Sequence, residues 1–247
     1  MASDRLRAVL ALLGGDGARD HGAAPGPAVA VAAAAALGVD GISAGVGTGP
    51  AGVVLTWGQE GTGVALEELE FTIGQGPGLE AVATGVPVLV PDLLAAAVRW
   101  PAFAPAAAGL RVRAVFAFPL QIGVISIGAL IAHRAEPGHL TGDQLADALT
   151  LADAVTMYLL HRHDFGPAGA GRTGAGPPAH SPEPGWEHPE TYRAEVHQAV
   201  GMISVQLGVG LAEALVRLRA HAFGNDRPIA AVAADVVARR LRFDTSI

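Results

Sequence analysis

Arginines near the C-terminus are the residues of this sequence best suited to binding a polyanion. Residues 191–247 carry seven arginines against five acidic residues, whereas residues 1–160 carry seven arginines against fourteen. Guanidinium groups bind phosphate, so this asymmetry is compatible with a nucleic-acid contact. The chain has no lysine, however, and its alanine, glycine and proline excess suggests a GC-rich genome. On charge alone, a solvated helical surface is therefore the favoured interpretation. The arginines are Arg193, Arg217, Arg219, Arg227, Arg239, Arg240 and Arg242.

Other motifs with potential chemistry are interpreted as structural. GTGPAG (47–52) matches G-x-G-x-x-G but precedes a predicted strand, whereas a dinucleotide site opens a helix. HRH (161–163) places two histidines on different faces of a helix end, where positive charge is favourable without a metal. No nucleophile, base and orienting group form a recognisable set. We therefore expect no enzymatic activity, no metal site and no cofactor.

Two residues of the long N-terminal part are ligand-binding candidates. Gly76 lies in IGQGPG (73–78), a loop whose consecutive backbone amides could hold an anion before a helix. A purely conformational role for these glycines is the alternative. His133 ends a predicted strand, where it faces either a ligand pocket or the rim of the domain.

Composition favours a cytoplasmic protein of two domains. The 247 residues are 51% hydrophobic, which is enough for two cores, and cysteine is absent. Asp4 precedes a short apolar run without the basic region of a signal peptide. The uncharged run 114–132 approaches the length of a membrane span, but Pro119 and Gly123 interrupt it. Two consecutive buried strands explain it better, so we expect no membrane segment.

The order of predicted elements indicates an α+β domain over residues 25–163, preceded by a short helical extension (1–24). We predict a central antiparallel sheet with flanking helices on one face. The stretch AVAVAAAAALG predicts a helix that ends at Gly38. The stretches DGISAGVG and AGVVLTWG predict a hairpin. The stretches VRAVFAFPLQI and GVISIGALIAHR predict a second pair of strands. ELEFTIGQGPGLEAVATG is interpreted as a loop feeding a short helix. Residues 141–163 form a long helix capped by Thr141, with an apolar face at Leu145, Leu149, Ala152, Val155, Met157 and Leu160.

The C-terminal region is predicted to be a separate helical bundle. Residues 164–190 are rich in glycine and proline and poor in aliphatic side chains, which is typical of a linker. From residue 191 onward, apolar positions at helical spacing predict three short helices, with breaks at Gly208–Gly210 and Gly224–Asp226. The result is an all-α three-helix bundle over residues 191–247.

Residues 25–162 resemble the actinobacterial branch of GAF domains. The stretches that carry the resemblance are IGQGPGLEAVATG, WPAFAPAAAGL, AFPLQI and IGALIAHR. GAF domains are sensory modules that bind small molecules or serve as dimerisation platforms. The resemblance therefore implies a homodimeric sensor with a small-molecule ligand, and it adds Phe118 of AFPL to the ligand-binding candidates.

The stretch VHQAVGMISVQLGVGLAEALVRLRAHAFGNDRPIAAVAADVV (196–237) resembles the ANTAR module. That module is a three-helix domain which binds RNA hairpins in nascent transcripts and prevents termination. Its first helix reads Q-A-K-G and its second E-A-[F/Y]-x-x-L-R-x-x-A. The resemblance implies RNA contacts by Gln198 and Arg219, with phosphate contacts by Arg193, Arg239 and Arg240.

Three departures from the ANTAR pattern bear on function. Val200 occupies the position at which the pattern has lysine. Ser204 lies near the position of the pattern's methionine, and Leu215 occupies the position of its aromatic residue. We expect the fold to survive these changes with lower RNA affinity, and Val200→Lys to raise it. The expected function is a signal-responsive antitermination regulator. The alternative is a ligand-binding or protein-interaction regulator whose C-terminal helices dimerise or bind a protein and have lost RNA binding.

Overall fold

The computed structural model describes residues 3–14, 27–47, 54–58, 61–162, 189–225 and 227–244. The predicted linker lies almost wholly outside these ranges, as does most of GTGPAG. The N-terminal elements, in chain order, are α1 (Asp4–Gly14), α2 (Pro27–Leu37), β1 (Gly41–Val46), β2 (Val54–Gly58), α3 (Thr62–Ile73), α4 (Pro77–Thr84), β3 (Val88–Val90), α5 (Phe103–Gly109), β4 (Ala114–Ile122), β5 (Ile125–Arg134) and α6 (Gly142–Arg162). Within the described residues, no single helix is long and apolar enough to cross a membrane.

The five strands form one antiparallel sheet in the order β2-β1-β5-β4-β3. Both predicted pairings are confirmed, since β1 pairs with β2 and β4 with β5. Strand residues alternate between the two faces of the sheet, so Phe116 and Leu130 contribute to one core while Val115 and Ile131 contribute to another.

Helices cover both faces of the sheet, so the prediction of helices on one face is wrong. Helices α1, α2 and α6 pack over the face that carries Phe116, and α3, α4 and α5 pack over the face that carries Ile131. A two-sided arrangement is required because β4 and β5 are apolar on both sides. The predicted α+β architecture with a central antiparallel sheet is confirmed.

Helix α3 is absent from the predicted elements. For its C-terminal half, ELEFTI (68–73), the sequence predicts a loop. In the structure this segment is helical and ends at Gly74, which takes a left-handed conformation (φ 78°) and donates from its amide to the Glu70 carbonyl. The apolar face was hard to detect because two of its buried positions are glutamates, Glu67 and Glu70.

Helix α6 begins as predicted and buries part of the predicted apolar face, including Ala152 and Val155. The Thr141 hydroxyl accepts from the Gln144 amide (3.2 Å), and the Gln144 side chain accepts from the Thr141 amide (2.9 Å), which is a capping box. The buried stripe contains Leu151, Val155 and Leu159, whereas Leu149 and Met157 are 42% and 55% exposed.

The C-terminal residues fold into the predicted three helices, α7 (Pro189–Leu207), α8 (Leu211–Gly224) and α9 (Ile229–Val237). The chain bends by 105° between α7 and α8, and Gly208 adopts a left-handed conformation there (φ 67°). The bundle core includes Val196, Ile203, Leu218 and Val232. It also contains Phe71 of α3, so the bundle lies against the N-terminal domain.

Candidate nucleic-acid interface

A basic cluster surrounds Asp235 on α9. Arg227, just before the helix, donates to one carboxylate oxygen at 2.7 Å, and Arg240, just after it, donates to the other at 2.8 Å. Hydrogen bonds from Arg227 and then Arg240 lower the pKa of Asp235 below its ordinary value. One carboxylate therefore holds two arginines in fixed positions at the surface. We call Arg227, Arg239, Arg240 and Arg242, together with Asp235, the Asp235 cluster.

Arg239 occupies a backbone position that glycine usually takes. Its φ is 60°, and the Arg240 amide donates to the Asp235 carbonyl at 2.8 Å, which closes a Schellman motif at the end of α9. A side chain in this conformation costs about 1–2 kcal/mol relative to glycine. Arg111 repeats the geometry after α5, with φ 61° and a Val112 amide that donates to the Ala107 carbonyl at 3.1 Å. The two arginines thus provide a matched pair, one in each domain.

The Asp235 cluster has the chemistry of a phosphate-binding surface. Residues 226–244 carry four arginines and three aspartates, and Arg239, Arg240 and Arg242 are exposed. Guanidinium groups that a carboxylate orients can donate their remaining N–H groups to phosphate oxygens without losing additional side-chain freedom. Of the predicted RNA-binding residues, Arg239 and Arg240 therefore come together in one place.

The other predicted RNA-binding residues lie elsewhere. Gln198 is exposed on α7. Arg193 lies on α7, but its side chain is outside the described part of the structure. Arg219 on α8 is partly buried against the N-terminal domain, where its Nε donates to the Phe71 carbonyl at 2.8 Å. Arg217 pairs with Glu213 one turn away, at 3.2 Å.

Val200 does not lie where a lysine could contact RNA. Its side chain is 7% exposed and belongs to the bundle core. The expectation that Val200→Lys would restore a phosphate contact is therefore corrected by the structure, since the substitution would place an ammonium group in an apolar interior.

The three ligand-binding candidates of the N-terminal domain do not come together. Phe118 is buried on the face covered by α1, α2 and α6, whereas His133 lies on the opposite face of the sheet, as does the α3–α4 loop that contains Gly76. Burial lowers the pKa of His133 below its ordinary value, and the charge of Asp40 partly opposes this effect. A ligand on the α3 and α4 side could approach Gly76 and His133 but not Phe118.

Glu70 is not among the predicted site residues, yet burial strongly raises the pKa of its carboxyl group. Its Oε1 accepts from the Gly78 amide at 2.8 Å, at the start of α4. Desolvation by burial raises the pKa of Glu70 to about 7, although hydrogen bonds from Gly78 and Leu79 oppose the shift. Gly76 and Gly78 leave room for this carboxyl group, because a Cβ at either position would lie within 2.5 Å of it. The sequence ALEELEF (65–71) does not indicate that its third glutamate, Glu70, is buried.

Several solved structures resemble this chain over about two thirds of its length. The sequence matches no protein-family model, and no curated protein is similar to it. The GAF domain of an Acinetobacter phosphoenolpyruvate-protein phosphotransferase is 13% identical, with 66% of this chain and 95% of that chain covered and a TM-score of 0.48. The corresponding GAF domain from Coxiella burnetii is 20% identical (64% and 96% covered, TM-score 0.45). A free methionine-R-sulfoxide reductase from Neisseria meningitidis is 19% identical (66% and 95% covered, TM-score 0.47).

Proposed function

We propose that this protein is a cytoplasmic, signal-responsive regulator whose C-terminal bundle binds hairpin RNA and prevents transcription termination. The observation that carries the proposal is the Asp235 cluster, which gathers exposed arginines at the end of α9 on an otherwise acidic chain. The ANTAR resemblance supplies the type of ligand, and the three helices at the predicted positions agree with it. The N-terminal domain is the GAF-like sensor, and its small-molecule ligand binds on the side of the sheet covered by α3 and α4.

Replacing Arg239 by glycine is expected to weaken RNA binding without weakening the fold. The variant loses one phosphate contact, so the slope of log Kobs against log salt should become shallower by about 0.9. Glycine adopts the positive φ of Arg239 without strain, so stability should not fall. The measurement is a titration of RNA hairpins, recovered by crosslinking the protein in cells, at several salt concentrations.

Arg111→Gly is the matched control for this titration. It removes an exposed arginine from the same backbone motif in the other domain, so the salt slope should remain that of wild type. If Arg239→Gly and Arg111→Gly bind RNA equally well, the Asp235 cluster does not contact RNA. Failure of wild type to bind RNA at low salt would contradict the proposed function itself.

A specific observation favours the alternative function as well. Val216 and Phe223 are exposed large apolar side chains, and they lie seven residues apart on α8, hence on one face. Such a face is typical of a helix that binds another protein. The salt dependence of binding distinguishes the two functions. RNA binding weakens steeply as the salt concentration rises, whereas binding through an apolar face does not.

We further propose that the protein is a homodimer through the exposed face of α6. Leu149 and Met157 are the large apolar side chains exposed there, while Val155 is 1% exposed and belongs to the core. Changing Leu149 and Met157 to glutamate is therefore expected to convert the dimer to a monomer in sedimentation at micromolar concentration. Val124→Glu, a change from an apolar to a charged side chain in the exposed turn between β4 and β5, is the control and should leave the dimer intact. A monomeric wild type would contradict the proposal.

A further inference from the structure

The C-terminal bundle docks on the end of α3, where one side chain from each domain makes a defined contact. The Arg219 Nε donates to the Phe71 carbonyl at 2.8 Å, and the guanidinium carbon lies 5.5 Å from the centroid of the Phe71 ring. Phe71 itself is 2% exposed, and every other residue of its hydrophobic cluster belongs to the bundle. The ring of Phe71 is therefore part of the C-terminal core, although its backbone belongs to the N-terminal domain.

The end of α3 is shaped to receive the guanidinium group. Gly74 terminates the helix in a left-handed conformation, and a Cβ on it would lie 2.8 Å from a terminal nitrogen of Arg219. Burial lowers the pKa of the Arg219 guanidinium below its ordinary value, but an arginine remains charged in proteins. A backbone carbonyl group and an aromatic ring are thus among the groups that contact this positive charge.

Arg219 is also the arginine of α8 that is expected to bind RNA. Its guanidinium cannot donate to a phosphate in the direction occupied by the Phe71 carbonyl, and the ring of Phe71 covers one of its sides. We propose that the N-terminal domain and RNA compete for the face of α8 that carries Arg219, so that the docked arrangement is the RNA-free state. This inference rests on the RNA binding proposed above.

Docking can be measured without reference to RNA because the chain contains no cysteine. Val86 and Val216 are exposed, one in each domain, so Val86→Cys and Val216→Cys can carry a pair of spin labels. Pulsed EPR of the otherwise wild-type chain should give one narrow distance. Phe71→Ala should broaden the distribution. Ile73→Ala, on the same helix but packed in the N-terminal core, is the control and should leave the distance narrow.

RNA binding of the same variants tests the competition. Phe71→Ala keeps every residue of the bundle, so it should bind hairpin RNA about tenfold more tightly than wild type if docking occupies most molecules. Saturating RNA should also broaden the distance in the wild-type chain. Gly74→Asn is a second, milder variant, because asparagine tolerates a left-handed backbone and its side chain displaces the Arg219 guanidinium. It should change both readouts in the same direction even if Phe71→Ala does not fold.

Two outcomes would overturn the inference in different ways. If the distance broadens in Phe71→Ala or Gly74→Asn while RNA affinity stays that of wild type, docking does not compete with RNA and only this inference fails. If neither wild type nor the variants bind RNA at low salt, the proposed function fails as well, whatever the distances show. Arg219→Ala alone does not separate these cases, since it removes the RNA contact and the docking contact together.

Discussion

Replacing Glu70 by glutamine is expected to remove about 3 kcal/mol of pH-dependent destabilisation between pH 4.5 and pH 7. In the folded protein the pKa of Glu70 is raised from its ordinary value of 4.5 to about 7 by burial. Between these values the folded state holds a proton that the unfolded state has released, so stability falls as pH rises. Glutamine cannot ionise, and its amide oxygen can still accept from Gly78. Urea unfolding at pH 5 and pH 8 measures the difference.

Comparison with wild type isolates this contribution from the other titrating groups. His133 acts in the opposite direction, because its lowered pKa makes the folded state bind a proton less readily than the unfolded state. Its effect is common to both proteins and cancels in the comparison. Glu68→Gln, a partly exposed neighbour on α3, is the control, and any change that it shares with Glu70→Gln does not arise from the buried carboxyl group. An identical pH dependence in wild type and Glu70→Gln would show that Glu70 ionises normally.

Replacing Val200 by lysine should destabilise the C-terminal bundle by about 3 kcal/mol, since it buries an ammonium group among apolar side chains. Val205 on the same helix is 84% exposed, so Val205→Lys makes the same chemical change at the surface. That variant should alter stability by less than about 0.5 kcal/mol. Circular dichroism in urea measures the free energies of unfolding of the two variants. A Val200→Lys variant as stable as Val205→Lys would show that the position is open to solvent.

Elements with an unambiguous local pattern could be predicted from the sequence. The strands β4 and β5 form a continuous apolar run divided at Gly123, and α6 begins with the Thr141 and Gln144 signature of a capping box. The C-terminal helices follow the period of apolar residues between glycine breaks. In each case neighbouring residues carry enough information to specify the element.

Features that depend on distant residues could not be predicted. Glu67 and Glu70 are polar residues on the buried face of α3. The sequence of α3 therefore lacks the continuous apolar stripe that predicts an amphipathic helix. The burial of Arg219 arises from a partner 148 positions earlier in the chain. Even a correct helix prediction for α8 identifies Arg219 only as a charged residue, because the Phe71 carbonyl that it contacts carries no sequence signal.

The position of Phe71 limits how freely these two domains can be recombined. The helices α7, α8 and α9, joined to a different N-terminal domain, would lack the ring of Phe71, which shares a hydrophobic cluster with Leu218 and Val232. The N-terminal domain, joined to another output module, would expose the same ring to water. Exchange of either part therefore requires matched changes in the other. The reason is that the hydrophobic core of the C-terminal helices includes a side chain of the N-terminal domain.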